Sequence, residues 1–261
     1  MRCARSILAA FFFAAFAVGG LLVGVVIFPL VGLLAFADGR RSRAEIVAVR
    51  RRWLVRQTYR LFVWAAGVTG LFRVEISPED RLRLAALRGS VVVANHLTLI
   101  DVVLFIALLG DTTAVAKVAA SRNPFYACIV RSVFLVNDDA ERVLNEASQL
   151  LSNGVNLIVF PEGTRTLPAA ANRKLHRGAA QIALAANAPL EVVKISCEPL
   201  VLGKGQAWYD VGRRTIVYTL QHLSTISPGH SPRIKADIPA TPTRHAEAVE
   251  LTSKIGARLF G

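Results

Sequence analysis

Val91-Val92-Val93-Ala94-Asn95-His96-Leu97-Thr98-Leu99-Ile100-Asp101 is the stretch whose reading decides the fold. Its run of β-branched residues reads as a buried strand, expected over Ser90–Asn95. An apolar helix is expected to follow over Asp101–Leu109. A histidine at the carboxyl end of a buried strand, with a carboxylate shortly beyond it, suits a general base and the group that orients it. The same spacing suits a histidine that ends a strand and an aspartate that caps a helix. The pair is therefore weighed with the rest of the chain.

Downstream the pattern alternates. Strands are expected at Thr112–Val118, Val133–Val136, Asn156–Phe160, Leu190–Ile195 and Thr215–Leu220. Between them the spacing predicts a short helix over Pro124–Val130 with proline in its first turn. A second helix is expected over Asp139–Ser152, capped by Asp138 or Asp139 and ended by Gly154. An Ala-rich helix over Leu175–Ala186 and a last one from Thr241-Pro242 to about Phe260 complete the series. Ser224–Thr243, rich in proline, reads as the most loop-like segment. Alternating strands and helices predict an α/β fold, a single domain over residues 74–261 whose mostly buried central sheet is flanked by helices.

Upstream, residues 1–73 read as an N-terminal membrane anchor and a basic amphipathic helix. Ile7–Ala37 carries no charged residue and exceeds the ~20 residues that span a bilayer. A cleaved signal peptide with Ala35-Phe36-Ala37 as its site is the weaker alternative, because its apolar core would be shorter and a densely basic stretch follows. Arg40, Arg41, Arg43 and Arg50–Arg52 outweigh Arg2 and Arg5, which puts the bulk of the chain on the cytoplasmic side by the positive-inside rule. One span, or a hairpin broken at Gly19-Gly20 or Pro29, both remain open. Ala44–Gly70 reads as a helix lying on the membrane surface, with a stripe of Arg52, Arg56 and Arg60 and interfacial Trp53, Tyr59 and Trp64.

Composition agrees with that reading. A net charge of +13 calls for an anionic partner. Nucleic acid is disfavoured, because 53% of the residues are hydrophobic and the mean hydropathy is +0.45. Basic and apolar together point to anionic membrane lipids. Cys3, Cys128 and Cys197 show neither a disulfide framework nor zinc-ligand spacing, so no metal site is expected.

A second motif, Phe160-Pro161-Glu162-Gly163-Thr164-Arg165, stands where the Asn156–Phe160 strand ends. A strand that stops at proline and turns through glycine presents Glu162, Thr164 and Arg165 at the sheet's carboxyl edge, where α/β sites lie. Arg165 offers a planar guanidinium suited to phosphate. Glu162 could accept a hydroxyl or orient Arg165, and Gly163 could leave an N–H facing developing charge.

The two motifs together resemble those of the glycerolipid acyltransferase family, the 1-acylglycerol-3-phosphate acyltransferases and their relatives. Asn95-His96 with Asp101 fits that family's N-H-x4-D motif, and Phe160–Arg165 fits its F-P-E-G-T-R motif. The resemblance runs from about Val74 to Ile195. It implies an α/β fold, His96 as general base, Asp101 as its orienter, and acceptor contacts at Asn95, Glu162, Gly163, Thr164 and Arg165, with Arg165 on phosphate. Lys117 and Pro124 fall near the family's second-motif lysine and proline, and Arg177-Gly178 matches an arginine-glycine that follows the third motif. There are two departures. Val136-Asn137-Asp138-Asp139 lacks the arginine that closes the second motif, and Leu190–Val193 lacks a fourth-motif proline.

The resemblance implies direct acyl transfer at a membrane. A fatty acyl group moves from acyl-CoA or acyl-carrier protein to the hydroxyl of a lysophospholipid, foremost 1-acylglycerol-3-phosphate giving phosphatidic acid. No cofactor beyond the donor substrate is expected, and the inner (cytoplasmic) membrane is the expected location. A different acceptor, such as a lyso-aminolipid, or a non-catalytic lipid-binding role are the competing readings. Gly203–Tyr209 lacks the spacing of a phosphate-binding loop. His176, His222, His230 and His245 have no partner spacing and read as loop or surface residues.

Overall fold

The structure, a computed structural model, describes residues 2–37, 43–166, 173–228 and 242–261. Its centre is a seven-stranded sheet. In chain order the strands are β1 (Phe72–Ile76), β2 (Val91–Ala94), β3 (Thr112–Lys117), β4 (Leu135–Asn137), β5 (Asn156–Val159), β6 (Leu190–Glu198) and β7 (Ile216–Ile226). They lie side by side as β1-β7-β6-β2-β5-β3-β4. The neighbours β6, β2, β5, β3 and β4 run parallel. Only β7 opposes its neighbour β6, and β1 runs parallel to β7.

The β-branched run fixes the middle. Every residue of β2 is buried, and successive side chains leave on opposite faces of the strand. Val92 and Ala94 enter one apolar core, Val91 and Val93 the other. The first core lies under α5 (Asp101–Leu108), the second under α7 (Ala140–Ser152), α8 (Gly178–Ala186) and α9 (Pro242–Phe260). Both faces of the sheet are therefore covered, as a parallel sheet requires. Val93 pairs with Val159, so His96 and Glu162 stand level beyond the carboxyl ends of adjacent strands.

Ahead of the sheet come α1 (Arg2–Leu22), a π-helical turn at Val23–Ile27, α2 (Phe28–Ala37) and α3 (Arg43–Val68). The helix through residue 37 does not fold back at Gly19-Gly20, nor does Pro29 break it, since it falls where the π-turn hands over to α2. At Gly24 a Cβ would stand 2.6 Å from Cβ of Cys128, so glycine permits this close approach to α6 (Ala127–Val133). The first helix runs antiparallel along α3. Arg5 reaches the carbonyls of Gly70 and Leu71 at 3.1 and 3.0 Å, Phe16 packs on Tyr59 and Phe62, and the Arg51 guanidinium covers Phe28.

The expected membrane-surface face of α3 divides. Arg52, Val55, Tyr59, Phe62 and Ala66 recur at helical spacing and are buried against α1 and α5. Arg52 is thus not part of an outward stripe: it holds Asp111 with two bonds of 2.6 and 2.8 Å. Trp53 and Trp64 remain exposed, whereas Tyr59 lies in the core.

Three further expectations are corrected. The helix near Pro124 begins only at Ala127, because the Asn123 side chain accepts from Phe125 N at 3.0 Å and its carbonyl from Ala127 N at 2.8 Å, making a separate turn first. The Ala-rich helix begins at Gly178 rather than Leu175, since His176 N is held by the Pro161 carbonyl at 2.8 Å. The antiparallel pair of β6 and β7 continues past both expected ends, so Ser224–Ile226 is strand and not loop. Two elements had no counterpart in the sequence reading: β1 and α4 (Pro78–Ala86), the latter capped by Ser77, whose hydroxyl accepts from Asp80 N at 3.0 Å. Arg40, Arg41, His230 and Thr241 lie outside the described residues.

Candidate active site

His96 follows β2, and Asp101 opens α5. The turn between them is organised by the Asp101 carboxylate, which is fully buried. Its Oδ2 accepts from Leu97 N at 2.7 Å, Thr98 N at 2.8 Å and sits 2.9 Å from His96 Nδ1. Its Oδ1 accepts from the Thr98 hydroxyl. With Nδ1 facing this carboxylate, the other ring nitrogen, Nε2, is the one left to act as a base. The ring also stacks on Phe160, centroids 4.3 Å apart and 20° from parallel.

The second motif clamps the first through the backbone. Glu162 Oε1 accepts from His96 N at 2.8 Å, and Thr166 N donates to the His96 carbonyl at 2.9 Å. Glu162 Oε2 lies 3.5 Å from Arg173, whose guanidinium covers the Phe260 ring at 4.3 Å. Glu162 thus positions the His96 backbone and pairs with Arg173, not with Arg165. Gly163, at φ +62°, makes the turn that a side chain would strain, and a Cβ there would meet the His176 ring at 3.1 Å. Its N–H donates to the Phe160 carbonyl at 3.0 Å and so does not face the groove.

His96 opens onto a long groove of about 2930 Å³, several times an ordinary ligand pocket. Its lining includes apolar side chains, among them Phe13 and Phe16 of α1, Phe62 of α3 and Ile129 of α6, and the cations Lys117, Lys174 and Arg177. A base in a groove lined by both apolar and cationic side chains fits a substrate that is part hydrocarbon, part anion. Residues 73–198, which include both motifs, match the family model described as Acyltransferase. Over that stretch, a little under half of its length, the chain is similar to the acyltransferase family. It shares its fold with the crystal structure of the 1-acyl-sn-glycerophosphate (LPA) acyltransferase PlsC from Thermotoga maritima. The two are 20% identical over 98% of this chain and 97% of that one, with a TM-score of 0.60. No curated protein matches.

The remaining motif residues are spread around the groove. Arg165 lines it while Nη1 donates to the carbonyls of Leu202 and Gly203 at 2.9 and 3.1 Å. Thr164 is exposed at the rim. Lys117 ends β3 with its side chain exposed on the groove. Arg177, just before α8, reaches Nε2 of His245 at 2.6 Å. Asn95 does not line the groove: its buried amide is paired with both backbone groups of Ile195 at 2.8 Å, tying β2 to β6 beneath the histidine. Pro124 is exposed and lies off the groove.

Behind Asp101 lie Cys197 and Tyr218, whose thiol and phenol burial pushes up, so both stay neutral. His222 is not a surface residue. Its Nε2 meets buried Glu191 at 2.7 Å beside the bulge in β6. Sequence reading overlooked Thr98 and Arg173. The Thr98-x-x-Asp101 spacing is that of a reciprocal helix cap and was open to reading. Arg173 gave no such signal, because its distance from Glu162 along the chain has no fixed geometry.

Proposed function

We propose that this acyltransferase moves a fatty acyl group from acyl-CoA or acyl-carrier protein to the hydroxyl of a lysophospholipid, with 1-acylglycerol-3-phosphate as acceptor and phosphatidic acid as product. His96 Nε2 takes the hydroxyl proton, and the oxygen attacks the thioester carbonyl. The carbon–sulfur bond then breaks, and the thiolate leaves with the proton returned by the imidazolium. Asp101 steadies the charged ring. General base catalysis contributes about 10²–10⁴-fold. The observation that carries this reading is the Asp101-held His96 in a groove lined by both apolar and cationic side chains.

Membrane attachment supports an acceptor drawn from the bilayer. Cys3–Leu34 is long and apolar enough to cross a membrane, and its aliphatic and aromatic side chains include Phe11 and Leu33, 67% and 66% exposed. The basic chain is proposed to sit on the cytoplasmic face of the inner membrane, against anionic lipids.

One observation favours a different acceptor, such as a lyso-aminolipid. No arginine follows β4, and nearby Arg142 is engaged by Asp138, Glu146 at 2.8 Å and the Val136 carbonyl at 2.7 Å. Radiolabelled acyl-CoA and acyl-carrier protein, offered with a panel of lysolipids to purified membranes, decide between the acceptors. Labelled phosphatidic acid that disappears in His96→Ala is the expected result. Label on another lysolipid alone reassigns the acceptor, and undiminished transfer by His96→Ala removes the base.

A further inference from the structure

The segment joining β6 to β7, residues 199–215, is tied to the catalytic turn at one end and to the first helix at the other. Near its start, the Leu202 carbonyl accepts from Leu99 N at 3.0 Å and from Arg165 Nη1 at 2.9 Å. Arg165 also holds the Gly203 carbonyl at 3.1 Å, and Gly203 N donates to the Gln206 side chain at 2.8 Å. These bonds keep Leu202 at φ +59°, a left-handed conformation that a leucine rarely adopts. Such strain persists only where the surroundings impose it.

Farther along, Trp208 packs edge-on against Phe13 of α1, ring centres 6.0 Å apart, and against Tyr209 at 5.4 Å. Trp208 is 45% exposed, so the indole is only half covered by the fold. It nevertheless lines the same groove as His96 and Phe13. An indole with one edge on a helix and the rest facing a groove beside the base offers a flat apolar wall to whatever occupies it. Lys204, Arg213 and Arg214 are exposed on the same segment.

We infer that Trp208 is a specificity-determining residue for the acceptor: the lysolipid's acyl chain lies against the Trp208–Phe13 wall while Arg165 holds the loop in register with His96. The inference rests on the acyl transfer proposed above. It selects the acceptor over the donor because the loop is held by Leu99, in the turn that follows His96, and by Arg165, and its wall is completed by α1. A lipid drawn from the bilayer along that helix meets Trp208 before it meets the base, whereas a water-borne thioester need not.

Two measurements on the full chain test it. Kinetics of Trp208→Ala and Trp208→Phe are compared over 1-acylglycerol-3-phosphates of increasing chain length and, separately, over an acyl-CoA series. Trp208→Ala should raise KM for long-chain acceptors about tenfold, flatten the acceptor chain-length preference and leave kcat and the donor profile near wild type. Trp208→Phe should restore most of the preference. An unchanged acceptor profile, or a change confined to the donor series, overturns the inference. Independently of turnover, Trp53→Phe with Trp64→Phe leaves Trp208 as the sole tryptophan. Its emission should shift to shorter wavelength when 1-acylglycerol-3-phosphate is added without donor. That shift in a chain that transfers no acyl group sinks the proposed reaction and leaves the binding wall standing. Transfer without any shift sinks the wall.

Discussion

At the scale of single residues, Asp101 is the most demanding group in the site. A carboxylate with no exposed surface is tolerated only because both oxygens are occupied by donors. Thr98 supplies two of them, one from its backbone and one from its hydroxyl. Thr98→Val should therefore leave Oδ1 without its partner, cost about 1–3 kcal/mol of stability, and loosen the ring that Oδ2 orients. A fall in kcat of roughly tenfold is expected, since about 1.4 kcal/mol of lost transition-state alignment has that effect. The acceptor KM should stay near wild type. Thermal unfolding and steady-state kinetics on the purified variant check both, and a variant with wild-type kcat would show that Asp101 holds His96 without help from Thr98. Asn95 belongs at this scale too. Its place in the N-H-x4-D motif implies substrate contact, while its amide is occupied by Ile195, so its effect on turnover runs through the placement of His96.

At the scale of elements, the groove depends on how α3 is seated, because α3 supplies Tyr59 and Phe62 to its apolar wall. Apolar contacts fix which face points inward, and the Arg52–Asp111 pair fixes where along the domain the helix stops. The guanidinium is nearly buried, whereas the Asp111 side chain is 35% exposed. Breaking this pair should therefore cost less than the 3–5 kcal/mol of a fully buried one, about 1–2 kcal/mol. Arg52→Ala and Asp111→Ala should each lower the unfolding midpoint in detergent, and the double variant should lose less than the sum. Strict additivity would mean that the two side chains do not communicate. The helix also shows why a stripe of arginines is an ambiguous signal. Arg52, Arg56 and Arg60 share a face in sequence, but Arg52 is buried and Arg60 exposed, because the domain covers only part of the helix.

At the scale of the whole molecule, net positive charge and an exposed apolar helix would act on a membrane through different forces. Attraction of +13 charges to anionic lipids falls as salt shortens the Debye length from about 10 Å at 0.1 M to about 3 Å at 1 M. Burial of the exposed Phe11, Val18 and Leu33 in hydrocarbon would not be screened. The full chain should therefore float with phosphatidylglycerol vesicles at both salt concentrations, and its preference for them over phosphatidylcholine vesicles should shrink at the higher one. Release from both vesicles in high salt would mean that α1 and α2 do not enter the bilayer. Joint substitution of Phe11→Asp and Leu33→Asp should have that outcome.

What the sequence by itself determined is whatever depends on near neighbours along the chain. The β-branched run made β2 a buried strand, Asp139 capped α7 by accepting from Arg142 N at 2.9 Å, and the five-residue step from His96 brought Asp101 to Nδ1. Side-chain periodicity and cap chemistry act over one or two turns, and they are written in the order of residues. Only the tertiary structure decided that Glu162 holds the backbone of His96, that Arg165 grips the Leu202 carbonyl, and that Glu191 hides His222. It also set β7 between β1 and β6 and turned Arg52 inward. Each of these joins residues far apart in the chain. Their meeting follows from the order of strands and the burial of both sheet faces, which no local pattern encodes.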